Sequence, residues 1–307
     1  MLLKFAIKDY LEEKEYNNLS ERTIHTYAFT LNEFQCYCGE QQIVSVEDVT
    51  TSTIKSYLLY CQKERKNNAT TRNGKFRRIK IFFNHLEKEE IISSKQNPVR
   101  KLSYIKEDIK IEAFTDHHIK QMLNYLRRAK QRRHTFHYYR DYMIVVFLLG
   151  TGVRLGELVN LQWIDINFAS QAVTVFGKKR EQSSIPITDK LIKELAEYKV
   201  FCEQHFGKLS EYVFVSENKN NQMTVEGVKS MFQRLKAAMN FSNVRLSAHT
   251  FRHTFAHRML MNGCDVFSLQ KMLRHSNLSM TQKYLSIWGT ALKEVNAKFN
   301  PLNDIDL

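Results

Sequence analysis

The sequence predicts a mainly α-helical chain of two domains: a four-helix N-terminal domain over residues 1–105, and a mostly helical domain over residues 106–307 with a small antiparallel β-sheet. Three observations predict it. Apolar residues recur at helical spacing through the first hundred positions. The stretch from Ser93 to Ile111 breaks that pattern with serines, Asn97, Pro98 and alternating charge, and reads as an extended linker. Near Trp163 the period shortens to the alternation of short strands before helices resume. At 307 residues the chain has room for about two domains. Its 43% hydrophobic content allows each to bury a core.

The elements follow in order. A helix is expected near Leu2–Leu11. Ile24, Tyr27, Ala28, Leu31, Phe34 and Cys38 share one face of a second, with Ser20 as its N-cap. Ile54, Tyr57, Leu58 and Cys61 predict a third, starting after Thr51 or Ser52. Phe76, Ile79, Phe82, Phe83 and Leu86 predict a fourth. Past the linker, Ile119, Met122, Leu123 and Leu126 mark a helix that opens at Thr115–Asp116. An apolar helix through Tyr142–Leu149 stops at Gly150 and Gly152. Ile164, Ile166, Val173 and Val175 suggest strands, and Ile185 and Ile187 another, joined by the turn-like Gly177–Gln182. Helices return from Asp189 to about Phe206, from Thr224 to Met239, and from Ala248 onward with short breaks.

Composition narrows the function. Lys and Arg number 46 against 32 Asp and Glu, a net charge of +14, with a pI near 9.5. That excess favours a polyanionic partner, because neutralising phosphates releases condensed counterions. The densest run is Lys63–Lys80, where Lys63, Arg65, Lys66, Arg72, Lys75, Arg77, Arg78 and Lys80 face a single acid, Glu64. A solvated helix face would explain the run; in so basic a chain a phosphate-facing surface explains it better. The five cysteines are odd in number and form no CxxC pair, the pattern of a reduced cytoplasmic protein. The longest apolar run, Met143–Leu149, is too short to cross a membrane, and the first residues lack the apolar core and cleavage site expected of a signal peptide.

Four segments of the second half carry chemistry together: Gly150–Leu158, Gly177-Lys178, His249-Thr250-Phe251-Arg252-His253, and Leu273-Arg274-His275 followed nine residues later by Tyr284. They supply what phosphodiester transfer needs without a metal. Two permanently charged guanidiniums, Arg154 and Arg252, suit the non-bridging oxygens of the transition state. Lys178 can protonate a leaving 5′-oxygen. A tyrosine phenol can store the bond covalently. His249 shares a helix face with Arg252, and either imidazole, His249 or His275, can assist proton transfer. Singly each feature has an ordinary reading. Arg154 could be a helix-start residue, Lys178-Lys179-Arg180 a solvated hairpin tip, and Tyr284 is one of 14 tyrosines. His249, His253 and His257 recur every four residues like metal ligands, but no carboxylate lies between them and no third-ligand candidate stands out, so no metal is expected.

In this order the segments resemble the tyrosine recombinase (phage integrase) family, which includes Xer recombinases, Cre and phage integrases. The family's TG-x-R-x-x-E-L segment is similar to Thr151–Leu158, its H-x-x-R to His249–Arg252, and its LGH box with following nucleophile to Leu273-Arg274-His275 and Tyr284. The similarity is strong over about residues 112–290. It is weaker before, where it rests on helix pattern and Ser20, Thr23 and Tyr27.

The resemblance implies a two-domain clamp on double-stranded DNA, with an N-terminal SAM-like core-binding domain and a catalytic domain. It implies Tyr284 as nucleophile, Lys178 as general acid, Arg154, Arg252, His249 and His275 around the phosphate, and Glu157 behind them. No cofactor is implied. The assembly would be a homotetramer, or a heterotetramer with a paralogue, on two DNA sites. An apolar stripe of Ala291, Leu292, Val295 and Phe299 could dock on a neighbour or in cis. No arm-binding domain is apparent, which suits a simple recombinase, whether chromosomal or borne on a mobile element. Three positions depart from the family pattern: Arg274 replaces a glycine, Ser183 a frequent arginine, and Ser286 a frequent histidine. A topoisomerase of type IB and a non-catalytic DNA-binding regulator are the alternatives; the full catalytic set and the absence of an extra linker domain weigh against them.

Overall fold

The computed structural model describes residues 1–107, 111–133, 135–177, 182–218, 220–241, 243–275 and 281, and the chain divides into two compact units, Met1–Ile109 and Lys110–Leu307. In the first unit α1 (Leu3–Tyr16), α2 (Glu21–Glu40), α3 (Thr51–Lys63) and α4 (Ala69–Lys88) pack around an aromatic core. Most of each face expected from periodicity is buried: Leu31, Phe34 and Cys38 on α2, where Ile24, Tyr27 and Ala28 are only half-buried, Ile54, Tyr57 and Cys61 on α3, and Phe76, Ile79, Phe82, Phe83 and Leu86 on α4. Edge-to-face rings lock the bundle, with Tyr10 against Phe82 at 5.3 Å and Phe34 against Tyr57 at 5.1 Å between centroids.

Two local expectations change. Thr50 caps α3, one residue before the expected start: it exchanges side-chain and backbone hydrogen bonds with Thr53 in a capping box, both at 3.2 Å. The stretch after α4 lacks regular structure but is no free linker. Thr51 Oγ1 donates to the Pro98 carbonyl at 2.9 Å, Val99 is fully buried, and the buried Asn73 side chain pairs with both backbone groups of Ile105 at 2.8 Å. These bonds satisfy backbone groups that composition alone left to solvent.

The second unit is built on α6 (Phe136–Thr151), which packs against α5 (Asp116–Arg133), α8 (Asp189–Phe206) and α10 (Ala248–Met261). Such all-round packing explains why the second half of α6 is apolar on every side, with Met143, Ile144, Val145, Phe147 and Leu148 all buried. Between α6 and α8 lie the short α7 (Leu155–Val159) and an antiparallel sheet ordered β1 (Ile166–Asn167), β2 (Ala172–Phe176), β3 (Gln182–Pro186). Val173 pairs with Ile166 on one side and Ile185 on the other, so the buried residues stack on one face. Ile164 is not in a strand. It sits in a 3-10 turn, 86% exposed. The last described helices are α9 (Val225–Met239), capped by Thr224, then α10 and α11 (Val266–Leu273). Among the described residues no helix is long and apolar enough to cross a membrane.

Candidate active site

The site begins at a glycine. Gly152 ends α6 in the left-handed region at φ 60°, and an added Cβ would lie 2.7 Å from Cδ1 of Phe255 on α10. Only glycine allows both the turn and the close approach of the two helices. Gly152→Ala is expected to destabilise this unit by about 3 kcal/mol, from left-handed alanine plus overpacking. Chemical denaturation checks it; a loss under about 1 kcal/mol, the range of ordinary substitutions, would contradict it.

The turn delivers Arg154 to the N-cap of α7. Glu157, buried in the first turn of that helix, accepts from the Arg154 backbone N–H and from its guanidinium Nη1, both at 2.8 Å. Much further along the chain, Ser247 caps α10 by accepting from the Thr250 N–H at 3.2 Å. That helix carries His249 at the surface and Arg252 buried, three positions apart on a common side.

Both guanidiniums converge on the C-terminus of α11. Arg252 Nη1 donates to the Gly152 carbonyl at 2.8 Å, and its Nη2 to the Leu273 carbonyl. Arg154 Nη2 donates to the Arg274 carbonyl at 2.9 Å. Leu273 and Arg274 are consecutive, so the two forks are anchored to neighbouring peptide groups. His275 follows at once, buried, with Nδ1 2.8 Å from the Thr281 hydroxyl. Its backbone N–H donates to the Gln270 carbonyl at 3.1 Å, and Gln270 Nε2 returns a bond to the His275 carbonyl.

Positive charge governs the electrostatics. Burial, then Arg252, Arg154 and Arg274, push the His275 pKa down to about 4; burial, then His249 and Arg252, do the same to His253. Partial burial and the charges of Arg252, Arg154 and Arg245 lower His249 as well. Burial pushes the Glu157 carboxyl up, but the Arg154 N–H and the Arg274 and Arg154 guanidiniums outweigh it and hold it below its ordinary value. At neutral pH the cluster thus has neutral imidazoles, three guanidiniums and one carboxylate, a net positive charge.

A stability prediction follows from the two most strongly depressed histidines, His275 and His253. The unfolded chain takes up their protons first as pH falls. Their stabilising contribution is therefore complete above about 6.5 and is lost between about 6.5 and 4. The melting temperature should drop between pH 7.5 and pH 5.5, and a flat profile there would contradict it.

Lys178 and Tyr284 lie outside the described residues, as do Ser286 and the stripe Ala291, Leu292, Val295 and Phe299. Phe176 pairs with Gln182, so the ladder closes on both sides of the segment containing Lys178, and Ser183 pairs with Val175 in the same ladder. In the first unit Lys63, Arg65, Lys66 and Arg77 are exposed, and Arg72, Arg78 and Lys80 half-buried. Lys75 corrects the expectation of eight phosphate-facing cations. It falls on the inner face of α4 beside Phe76 and Ile79, and its ammonium is buried against Glu33 at 2.6 and 2.8 Å. A charge neutralised there is not presented to a phosphate.

What sequence reasoning missed is the contribution of Arg274. The sequence suggests for Arg274 a phosphate contact or a small shift of His275, yet its guanidinium reaches Glu157 Oε2 at 2.6 Å and its carbonyl holds Arg154.

Residues 112–287 match the model of the phage integrase family, and residues 7–93 that of the phage integrase N-terminal SAM-like domain. The chain is 30% identical to a tyrosine recombinase of Pseudothermotoga lettingae over 91% of both chains. It is 26% identical to the tyrosine recombinase XerC of Leptospira interrogans over 92% of this chain and 89% of that one. Its fold is similar to that of the Tn1549 transposon integrase, solved in complex with transposon right end DNA, at a TM-score of 0.75 and 19% identity over 92% of this chain and 94% of that one.

Proposed function

Because this chain belongs to the phage integrase family, the tyrosine recombinases, we propose that it cuts and rejoins double-stranded DNA at specific sites through Tyr284. The observation that carries this reading is the convergence of Arg154 and Arg252 on the adjacent carbonyls of Arg274 and Leu273, with His275 next in the chain. Two planar forks held in one place match the non-bridging oxygens of a scissile phosphate and need no reorganisation as charge develops.

In the proposed step the Tyr284 phenol oxygen attacks the phosphorus in line. The bond to the 5′-oxygen breaks, and a 3′-phosphotyrosyl link forms. Lys178 delivers a proton to the departing 5′-oxygen. His249 and His275 sit beside the guanidiniums as neutral groups able to bond the phosphoryl oxygens or relay a proton. A 5′-hydroxyl of a partner strand then reverses the chemistry and releases Tyr284. The bond energy is conserved throughout, so the step consumes neither ATP nor metal.

Residues 1–105 act as the core-binding domain and residues 106–307 as the catalytic domain, each contacting the duplex. Lys63, Arg65, Lys66, Arg72, Arg77, Arg78 and Lys80 serve as backbone contacts, with Lys75 left in the core. The enzyme works as a tetramer on two sites in the cytoplasm, a compartment consistent with five free cysteines.

The test is a nicked substrate carrying an inverted repeat of about thirty base pairs, each clamp covering about one helical turn. Loss of the short fragment beyond the nick traps the covalent intermediate. The expected result is a denaturant-resistant adduct whose linked peptide contains Tyr284. Site-independent relaxation of supercoils without joining of two duplexes would favour a topoisomerase, and binding without any adduct a non-catalytic regulator.

A further inference from the structure

We propose that Arg274 is a positioning residue of the phosphate site, holding Glu157 so that Glu157 in turn fixes Arg154. The inference rests on the recombinase reading above and adds a member to its machinery.

The geometry runs as a closed loop. Arg274 Nη2 bonds Glu157 Oε2 at 2.6 Å. That same oxygen accepts the Arg154 backbone N–H, while Oε1 accepts the Arg154 guanidinium, each at 2.8 Å. Arg154 Nη2 then returns to the Arg274 backbone carbonyl at 2.9 Å. One carboxylate thus joins two arginines, and one arginine is gripped from both ends of the other. The pair is sheltered, with side-chain exposures of 9% for Arg274 and 5% for Glu157, while Arg154 keeps 36% of its side chain open. Only the outer member of the triad is placed to meet a ligand. Arg274 adds a further bond from Nη1 to the Met272 carbonyl at 3.0 Å, which orients its fork.

The backbone points the same way. Arg274 occupies the left-handed C-cap of α11 at φ 54°, where a glycine would sit without strain. An arginine there costs conformational energy, and the bonds its side chain makes to Glu157 and Met272 offset it. The charge also bears on the carboxylate. Arg274 lies beside Glu157 from the end of α11 and Arg154 from the start of α7; Arg252 on α10 shares with Arg154 the role of charged neighbour to His249 and His275. Removing Arg274 takes a positive neighbour from Glu157 and lets its pKa rise. Glu157 then protonates at higher pH and loses an acceptor for Arg154.

The experiment compares single-turnover cleavage of the nicked substrate by the wild type, Arg274→Met and Arg274→Lys across pH 5 to 9, with melting temperatures in parallel. Arg274→Met keeps the backbone strain and much of the hydrocarbon but removes the charge; Arg274→Lys keeps the charge. The expected result is a cleavage rate about ten- to a hundredfold lower in Arg274→Met, the scale of a displaced catalytic group. The acid limb should move to higher pH, and Arg274→Lys should restore much of both. Wild-type rate and an unmoved acid limb in Arg274→Met would overturn the proposal. So would a rate loss that merely follows unfolding, with Arg274→Lys no better than Arg274→Met. Absence of any adduct with the wild-type protein overturns the recombinase reading itself, which separates the two failures.

Discussion

Tyr284→Phe is expected to reduce covalent linkage to DNA on the order of a millionfold, below detection, while DNA affinity is unchanged. The substitution removes one oxygen and leaves the ring. In the proposed chemistry that oxygen forms the bond to phosphorus, and no guanidinium can take its place as nucleophile. Affinity depends on the cations that neutralise phosphates, all of which remain. Band-shift titration and a denaturing-gel adduct assay on the same nicked DNA measure the two quantities. An adduct at the wild-type rate would move the nucleophile to another residue.

Arg252→Ala should lower cleavage by about a thousandfold, the upper range for loss of a preorganised charge-stabilising donor. Arg252 does two things at once. In the proposed chemistry its charge serves the phosphate, and its fork ties the Gly152 carbonyl at the end of α6 to the Leu273 carbonyl at the end of α11. Alanine leaves two carbonyls without that donor and frees the segment that carries Arg274 and His275. Arg252→Lys is expected to recover little, still about a hundredfold down, because one ammonium cannot reproduce a planar fork spanning two carbonyls and a phosphate. Single-turnover rates at saturating enzyme separate this loss from weaker binding. Recovery to within about threefold by lysine would mean that charge alone matters at this position.

The helices were legible because their burial is local and periodic. On α4 the residues at three- and four-residue spacing are the buried ones, and Asp189–Phe206 needed no correction. Three features escaped that reading for stated reasons. Thr50 outcompetes Thr51 and Ser52 as the α3 cap because only it can exchange bonds with Thr53. Ile164 shares the β-branched composition of its neighbours but falls in a 3-10 turn, since strand composition does not fix where a ladder begins. Lys75 lies in a basic run and looks solvated until Glu33, forty-two positions away, is seen to meet it in the core.

For the site, residue types and their order named the chemistry. Read through the family resemblance, a glycine turn before Arg154, His249 and Arg252 one helical turn apart, and His275 ahead of Tyr284 pointed to phosphoryl transfer, because those side chains offer fixed cations, imidazoles and a phenol. The arrangement was decided by packing. Arg154 and Arg252 meet at neighbouring peptide carbonyls, 120 and 21 positions away, and Arg274 reaches Glu157 across 117. Such bonds depend on α10 seating against α6 over the bare Cα of Gly152, and on the turn that ends α11. No local period encodes them: short-range patterns specify which face of a helix is buried, whereas the partner of a charge is set by which helices come to lie together.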